Sequence, residues 1–188
     1  MKKLFLIGLL LGGFIVNAQA DLKRVDIKIL PESELIIAGS TNVNKFDCKF
    51  NMNLISDTRE VKFIRENKYL TFQDLLLQFE TTGFDCGHKR MNSDFQDLLM
   101  CDIYPVIEIQ IDRVETFPGE YNKAFITVKL AGKTNKYDLP VKVDQEYFSG
   151  KFAMNIRDFG LEPPKKALGL IKVDEEIEVL FDLKLSLE

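Results

Sequence analysis

The sequence predicts an all-β domain of antiparallel strands, on three observations. Apolar and polar residues alternate with a period of two in one segment after another, the mark of strands with a single buried face. Clusters of Gly, Pro, Asn and Ser separate these segments and supply turns. Only one short stretch carries a helical pattern instead.

The chain opens with a segment that is excluded from the fold. Lys2 and Lys3 form a basic head, Leu4 to Val16 is almost wholly apolar, and Asn17-Ala18-Gln19-Ala20 puts small residues where a signal peptidase reads them. That order is expected of a secretory signal peptide. The apolar run is shorter than the roughly 20 residues needed to cross a bilayer, so a membrane anchor is the weaker alternative. Cleavage near Ala20 leaves residues 21–188 as one domain, large enough to close a core by itself. The expected location is periplasmic or secreted.

Strands follow in order. Val25 to Ile29 and Leu35 to Ser40 are weaker candidates, divided by Pro31-Glu32-Ser33. In Lys45 to Leu54 the even positions are Phe46, Cys48, Phe50, Met52 and Leu54, against a polar odd face. Leu75, Leu77 and Phe79 alternate with Gln78 and Glu80, and Ile107, Ile109 and Ile111 with Glu108, Gln110 and Asp112. Ala124 to Leu130 and Tyr137 to Val143 flank Gly132-Lys133-Thr134-Asn135, which reads as a hairpin loop. Phe148, Phe152, Met154 and Ile156 form another stripe. After a long loop over Phe159 to Lys172, Ile177, Val179, Phe181, Leu183 and Leu185 close the chain.

The helical exception lies near residues 93–101. Ser93 and Gln96 have capping-box spacing, Phe95, Leu98 and Leu99 share a face, and Tyr104-Pro105 forces extended backbone. About eight strands and one short helix, with no linker or repeat, mean a sandwich or an up-and-down barrel. Periodicity does not choose between them. Inner faces rich in Phe, Met and Leu suit either a plain core or an apolar tunnel.

Charge and motifs narrow the function. The formal net charge of −4 becomes more acidic once Lys2 and Lys3 are removed, and no basic run with interleaved aromatics appears. Nucleic acid is therefore not an expected partner. Three cysteines, Cys48, Cys86 and Cys101, stand in an exported chain. An odd number leaves at least one free or paired between chains. A Cys48–Cys86 disulfide is favoured, with Cys86–Cys101 or three reduced thiols as alternatives. Cys86-Gly87-His88 sets a thiol near the single histidine, the basis of a thiol-dependent enzyme reading. Residues so close on one loop rarely reach nucleophile–base geometry, so no catalytic residue is assigned. One histidine and scattered cysteines lack zinc-ligand spacing, and no phosphate loop is present, so neither metal nor cofactor is expected. Asp174-Glu175-Glu176 reads as a solvated loop edge.

Several segments in order resemble the YceI-like family. Gly39-Ser40-Thr41-Asn42-Val43-Asn44-Lys45-Phe46, after Ser33-Glu34-Leu35, is similar to its opening signature. Asp85-Cys86, Met91-Asn92-Ser93-Asp94, Leu98-Leu99 and Tyr104-Pro105 with Ile107 resemble its central part. Leu130-Ala131-Gly132-Lys133-Thr134 with Leu139-Pro140-Val141 resembles its hairpin, and Arg157-Asp158-Phe159-Gly160, Gly169 to Val173 and the last strand its C-terminal part. The resemblance implies an extended lipocalin-like barrel of eight antiparallel strands, exported, holding an isoprenoid or other long-chain amphiphile inside. It also implies that dimers occur, so a homodimer is compatible with it; membrane contact is expected to be transient at most. Many relatives carry an aromatic near the mature N-terminus and a His in the segment matching Thr41 to Asn44, where this chain has Val25-Asp26 and Asn44. The head group is thus left open.

The expected function is non-catalytic carriage of a long-chain amphiphile, isoprenoid or fatty-acyl in type. The alternative is a periplasmic stress-response or protein-interaction module with a filled barrel. The expected apolar lining comprises Phe46, Phe50, Met52, Leu77, Phe79, Ile107, Ile109, Phe152, Met154 and Phe181, with Met91, Phe95 and Leu99 over one mouth.

Overall fold

The computed structural model describes residues 21–55, 57–119, 121–144, 146–166 and 171–187. The expected signal peptide and Gly169 lie outside the described residues. Along the chain run β1 (Leu22–Ile29), β2 (Glu34–Ser40), β3 (Lys45–Phe50), β4 (Thr58–Glu66), β5 (Tyr69–Gln73), β6 (Leu76–Glu80), β7 (Phe84–Asp85) and the helix α1 (Lys89–Leu98). Then come β8 (Val106–Glu115), β9 (Asn122–Leu130), β10 (Lys133–Val143), β11 (Tyr147–Asn155), β12 (Lys165–Lys166), β13 (Ile171–Lys172) and β14 (Glu176–Leu187).

Eight strands close a ring in the order β1-β4-β5-β8-β9-β10-β11-β14, and β14 returns to β1 through Ile27↔Leu187 and Ile29↔Leu185. Every pairing is antiparallel, and closure leaves the ring without a free edge. Two walls of this ring are bent. β14 pairs with β1 over Leu185–Leu187 but with β2 over Glu178–Asp182. The bend between β1 and β2 is pinned by buried Ser33, whose hydroxyl donates to the Lys184 carbonyl and accepts from the Lys184 N–H at 2.8 Å. On the opposite wall β8 pairs with β5 over Arg113–Glu115 and with β6 over Val106–Gln110. Asp74, at φ 55°, turns the chain between those two strands. The barrel therefore has two ends. β1, β4 and β5 wall one; β2, β3, β6, β7 and α1 wall the other.

Four local expectations are corrected. The helix starts at Lys89 and ends at Leu98, shifted from 93–101. His88 Nδ1, not Ser93, caps it by accepting the Arg90 N–H. Asn92 Oδ1 accepts the Cys86 N–H at 2.7 Å while its Nδ2 donates to Asp85, and this folds the approach early. Met100, left-handed at φ 57°, stops the helix, with the Cys101 N–H donating to the Gln96 carbonyl.

The alternation in β3 stops at Phe50. Met52–Ile55 form a 3-10 turn that exposes Leu54 and buries Ile55. The β9–β10 loop is two residues, Ala131 and Gly132 at φ 48° and 74°, because that turn matches strand twist; Lys133 to Asn135 already pair in β10. A side chain on Gly132 would also strike the Tyr104 ring at 2.7 Å. Last, β11 ends at Asn155, whose side chain caps a 3-10 turn over Ile156–Phe159, and the stretch read as loop contains the β12–β13 ladder.

β4 and β5 were not anticipated from the sequence, although they form the hairpin Glu66↔Tyr69 around left-handed Asn67.

Candidate functional site

The strands aim their inner faces at an interior that is filled unevenly. At the β1-β4-β5 end lies an open cup of about 460 Å³. β4 contributes Val61 and Phe63, β5 Leu70 and Phe72, β1 Ile27 and Ile29, and β14 Leu183, Leu185 and Leu187. Four charged residues edge it: Asp57, Arg59, Arg65 and Asp144. Arg59 and Arg65 occupy the inner-face positions that flank Val61 and Phe63 on β4. The Arg59 guanidinium donates to the Leu76 carbonyl at 2.8 Å, bridging the gap between β4 and β6.

Below the cup the interior narrows. A space of about 40 Å³ shares Leu77, Ile111, Phe148 and Leu183 with the cup. It shares Leu35, Phe79, Ile109 and Phe152 with the next space, of about 60 Å³. That one reaches the helix, where Phe46, Phe95, Leu98 and Val173 lead into a second opening of about 280 Å³. This opening has polar edges at Thr41, Asn44 and Asp94. The four spaces thus lie in a row along the barrel: a cup, two constrictions and a helix-capped pocket.

The anticipated lining residues divide along this row. Leu77 alone reaches the cup. Phe79, Ile109, Phe152 and Phe181 surround the upper constriction; Ile107, Met154 and Leu99 line the lower one; Phe46 and Phe95 stand between it and the helix-end pocket, where Met91 lies. Phe50 and Met52 border none of these spaces. Phe50 is packed edge-on against Phe79 and Phe84, and Met52 is buried in the 3-10 turn after β3. Most of the cup went unread because β4 and β5 did. The signal was present: Val61 and Phe63 alternate across Asn67-Lys68 with Leu70 and Phe72.

The cysteine chemistry is accounted for. Cys48 and Cys86 form a disulfide that ties β3 to the approach of α1. Cys101 is free and half-buried; burial first, then Asp102 and Asp97, pushes its thiol above the ordinary value. The Cys86 sulfur is bonded to Cys48 and the His88 Nδ1 accepts the Arg90 N–H as the helix cap, so the two are not set up as a nucleophile–base pair. Around the barrel wall, Lys68 beside Glu115 holds that carboxyl below the usual range, and Lys123 does the same for Asp138. Tyr137 lies against Phe152 and Phe159, its hydroxyl buried without a hydrogen-bond partner among the described residues, and burial raises its pKa. Among the described residues no group of three or more His, Cys, Asp or Glu gathers to hold a metal ion, and no helix is long and apolar enough to cross a membrane.

Solved structures share this fold. BcnA of Burkholderia cenocepacia superposes with a TM-score of 0.61 at 14% identity, covering 82% of this chain and 96% of its own. A polyisoprenoid binding domain from Saccharophagus degradans, implicated in plant cell wall breakdown, gives 0.56 at 13% identity, covering 85% and 97%. The YceI protein of Campylobacter jejuni gives 0.52 at 16% identity, covering 62% and 73%. No curated protein sequence matches the chain significantly. The YceI-like domain model matches residues 43–185, most of the barrel. On that match the chain belongs to the YceI-like family.

Proposed function

We propose that this protein is a non-catalytic carrier of a long-chain amphiphile, isoprenoid or fatty-acyl in type, held in the barrel interior. The observation that carries the reading is the cup. Its 460 Å³ fall within the roughly 300–1,000 Å³ typical of small-molecule sites, and its wall is almost wholly apolar. Each methylene moved from water into such a lining gains about 0.8 kcal/mol, so a dozen contribute about 10 kcal/mol before the costs of ordering and immobilisation. The charged edge offers a head group partners in water while the tail is shielded. The shared fold with a polyisoprenoid binding domain supports the same ligand chemistry.

A filled-barrel interaction module would have no use for a cavity of this size. A thiol enzyme built on Cys86 and His88 would need the Cys86 sulfur that is spent in the disulfide. Export to the periplasm or beyond is supported by the leader-like order of residues 1–20 and by that same disulfide, which suits an oxidising compartment.

The test is native mass spectrometry of protein purified from its own compartment, followed by organic extraction. A stoichiometric apolar adduct is expected. A bare chain that also fails to take up added isoprenoid alcohols and fatty acids overturns the carrier and leaves the interaction module. The same spectra report whether the chain is a dimer.

A further inference from the structure

We infer that an aromatic neck across the barrel limits how long a chain this protein accepts: the ligand's tail ends in the cup and does not thread the barrel. This rests on the reading that the cup holds an apolar chain. The space falls from about 460 Å³ in the cup to about 40 Å³ just below it. A water takes about 30 Å³ of liquid and a methylene has similar bulk, so the cup holds on the order of fifteen methylenes and the constriction one or two. An octaprenyl chain is more than twice the capacity of the cup.

The constriction is made of braced rings. Phe148 and Phe181 stack with centroids 5.4 Å apart. Phe181 lies over Gly150, its partner across the β11–β14 ladder, where the missing Cβ leaves it room. Phe152 rests on Tyr137 at 5.5 Å. Phe79, almost fully buried, meets Phe50 edge-on at 5.2 Å, and Phe50 continues through Phe84 to Phe95 of the helix. Each of these rings bears on another, so one that swings aside displaces its neighbour, and the neck persists when the cup is occupied. Phe148 and Phe152 are the length-determining residues: both face the narrow space, neither belongs to the Phe50 cluster, and Phe181, which faces it too, is seated in the room left by Gly150.

The experiment measures affinity along two homologous series, fatty acids from laurate to behenate and prenols from farnesol to octaprenol, by displacement of a fluorescent probe. In the wild-type protein affinity is expected to climb several-fold per two-carbon step and then to level off near palmitate or stearate. Phe148→Ala with Phe152→Ala opens the neck and moves that break to longer chains by at least one step. Phe148→Leu with Phe152→Leu, which retains more core volume, keeps the test usable if the alanine pair does not fold. An affinity that rises without a break to behenate and octaprenol in the wild type overturns the neck and leaves the carrier intact. A break that stays in place in the folded variants overturns the assignment to these two rings. No binding of either series overturns the carrier itself.

Discussion

Gly150 and Phe181 share one volume. A Cβ on Gly150 would lie 2.8 Å from Phe181 Cζ and 2.9 Å from the Pro140 carbonyl oxygen. The ring is braced by its stack on Phe148, and the carbonyl is fixed in the β10 backbone. Gly150→Ala is expected to destabilise by about 1–3 kcal/mol, the usual cost of overpacking. At roughly 2–4 °C per kcal/mol for a domain of this size, thermal unfolding should show the loss clearly. An unchanged Tm would mean that Phe181 and the β10 backbone yield freely, and would count against a braced neck.

The Cys48–Cys86 disulfide closes a loop of sequence separation 38. The loop-entropy model puts its stabilisation at about 4 kcal/mol, before any residual order in the unfolded chain. Cys48→Ala with Cys86→Ala, or a reductant, should lower Tm accordingly. Cys101→Ser should change stability by less than about 0.5 kcal/mol, because that half-buried sulfur is uncross-linked and its hydrogen bond to Asp102 is long, at 3.9 Å. Equal losses in the two variants would show that cysteine packing, not the cross-link, is what matters.

Much of the barrel could be read from alternation, because strands with one dry face leave a simple record. Ala124, Ile126, Val128 and Leu130 are all buried, as their stripe implies. The cup is different. Its walls face a cavity open at the edge, so β4 presents Arg59, Val61, Phe63 and Arg65 inward while Ile64 takes the opposite face. That mixture hides a period of two. The start of α1 was hidden for another reason. Ser93 and Gln96 have capping-box spacing, but the hydrogen bonds of Asp85, Cys86 and Asn92 order the preceding loop and begin the helix a turn earlier. Such tertiary choices leave no periodic trace.

Asp85 predicts an acid limit. The Asn92 side-chain amide, and then the Gly87 N–H, hydrogen-bond its carboxylate and hold its pKa below the ordinary value. The folded state therefore binds this proton less readily than the unfolded chain. Its contribution is complete above the unfolded carboxylate value, about 3.9, and is lost as pH falls through the lower folded value. Asp85→Ala should lower Tm by a constant amount near neutrality, and the gap to wild type should close below about pH 4. A gap independent of pH down to acid unfolding would show that packing, not the charge, links Asp85 to the helix approach.

Filling the cup separates ligand binding from stability. Leu185 is half-buried on the inner face of β14 and borders the cavity. Leu185→Trp adds a large ring where there is already space, so it escapes the usual cost of overpacking, and Tm should hold or rise. Affinity for palmitate or farnesol should fall by tenfold or more, because the ring takes the volume of several methylenes worth about 0.8 kcal/mol each. The wild-type chain has no tryptophan, so the introduced indole is also a specific fluorescence reporter of the cup. Retained affinity with no change in emission on adding ligand would place the tail elsewhere, at the helix-capped pocket. Phe95→Ala would then be the variant that loses binding. Lost affinity with an intact Tm ties binding to the empty volume between β1, β4 and β5.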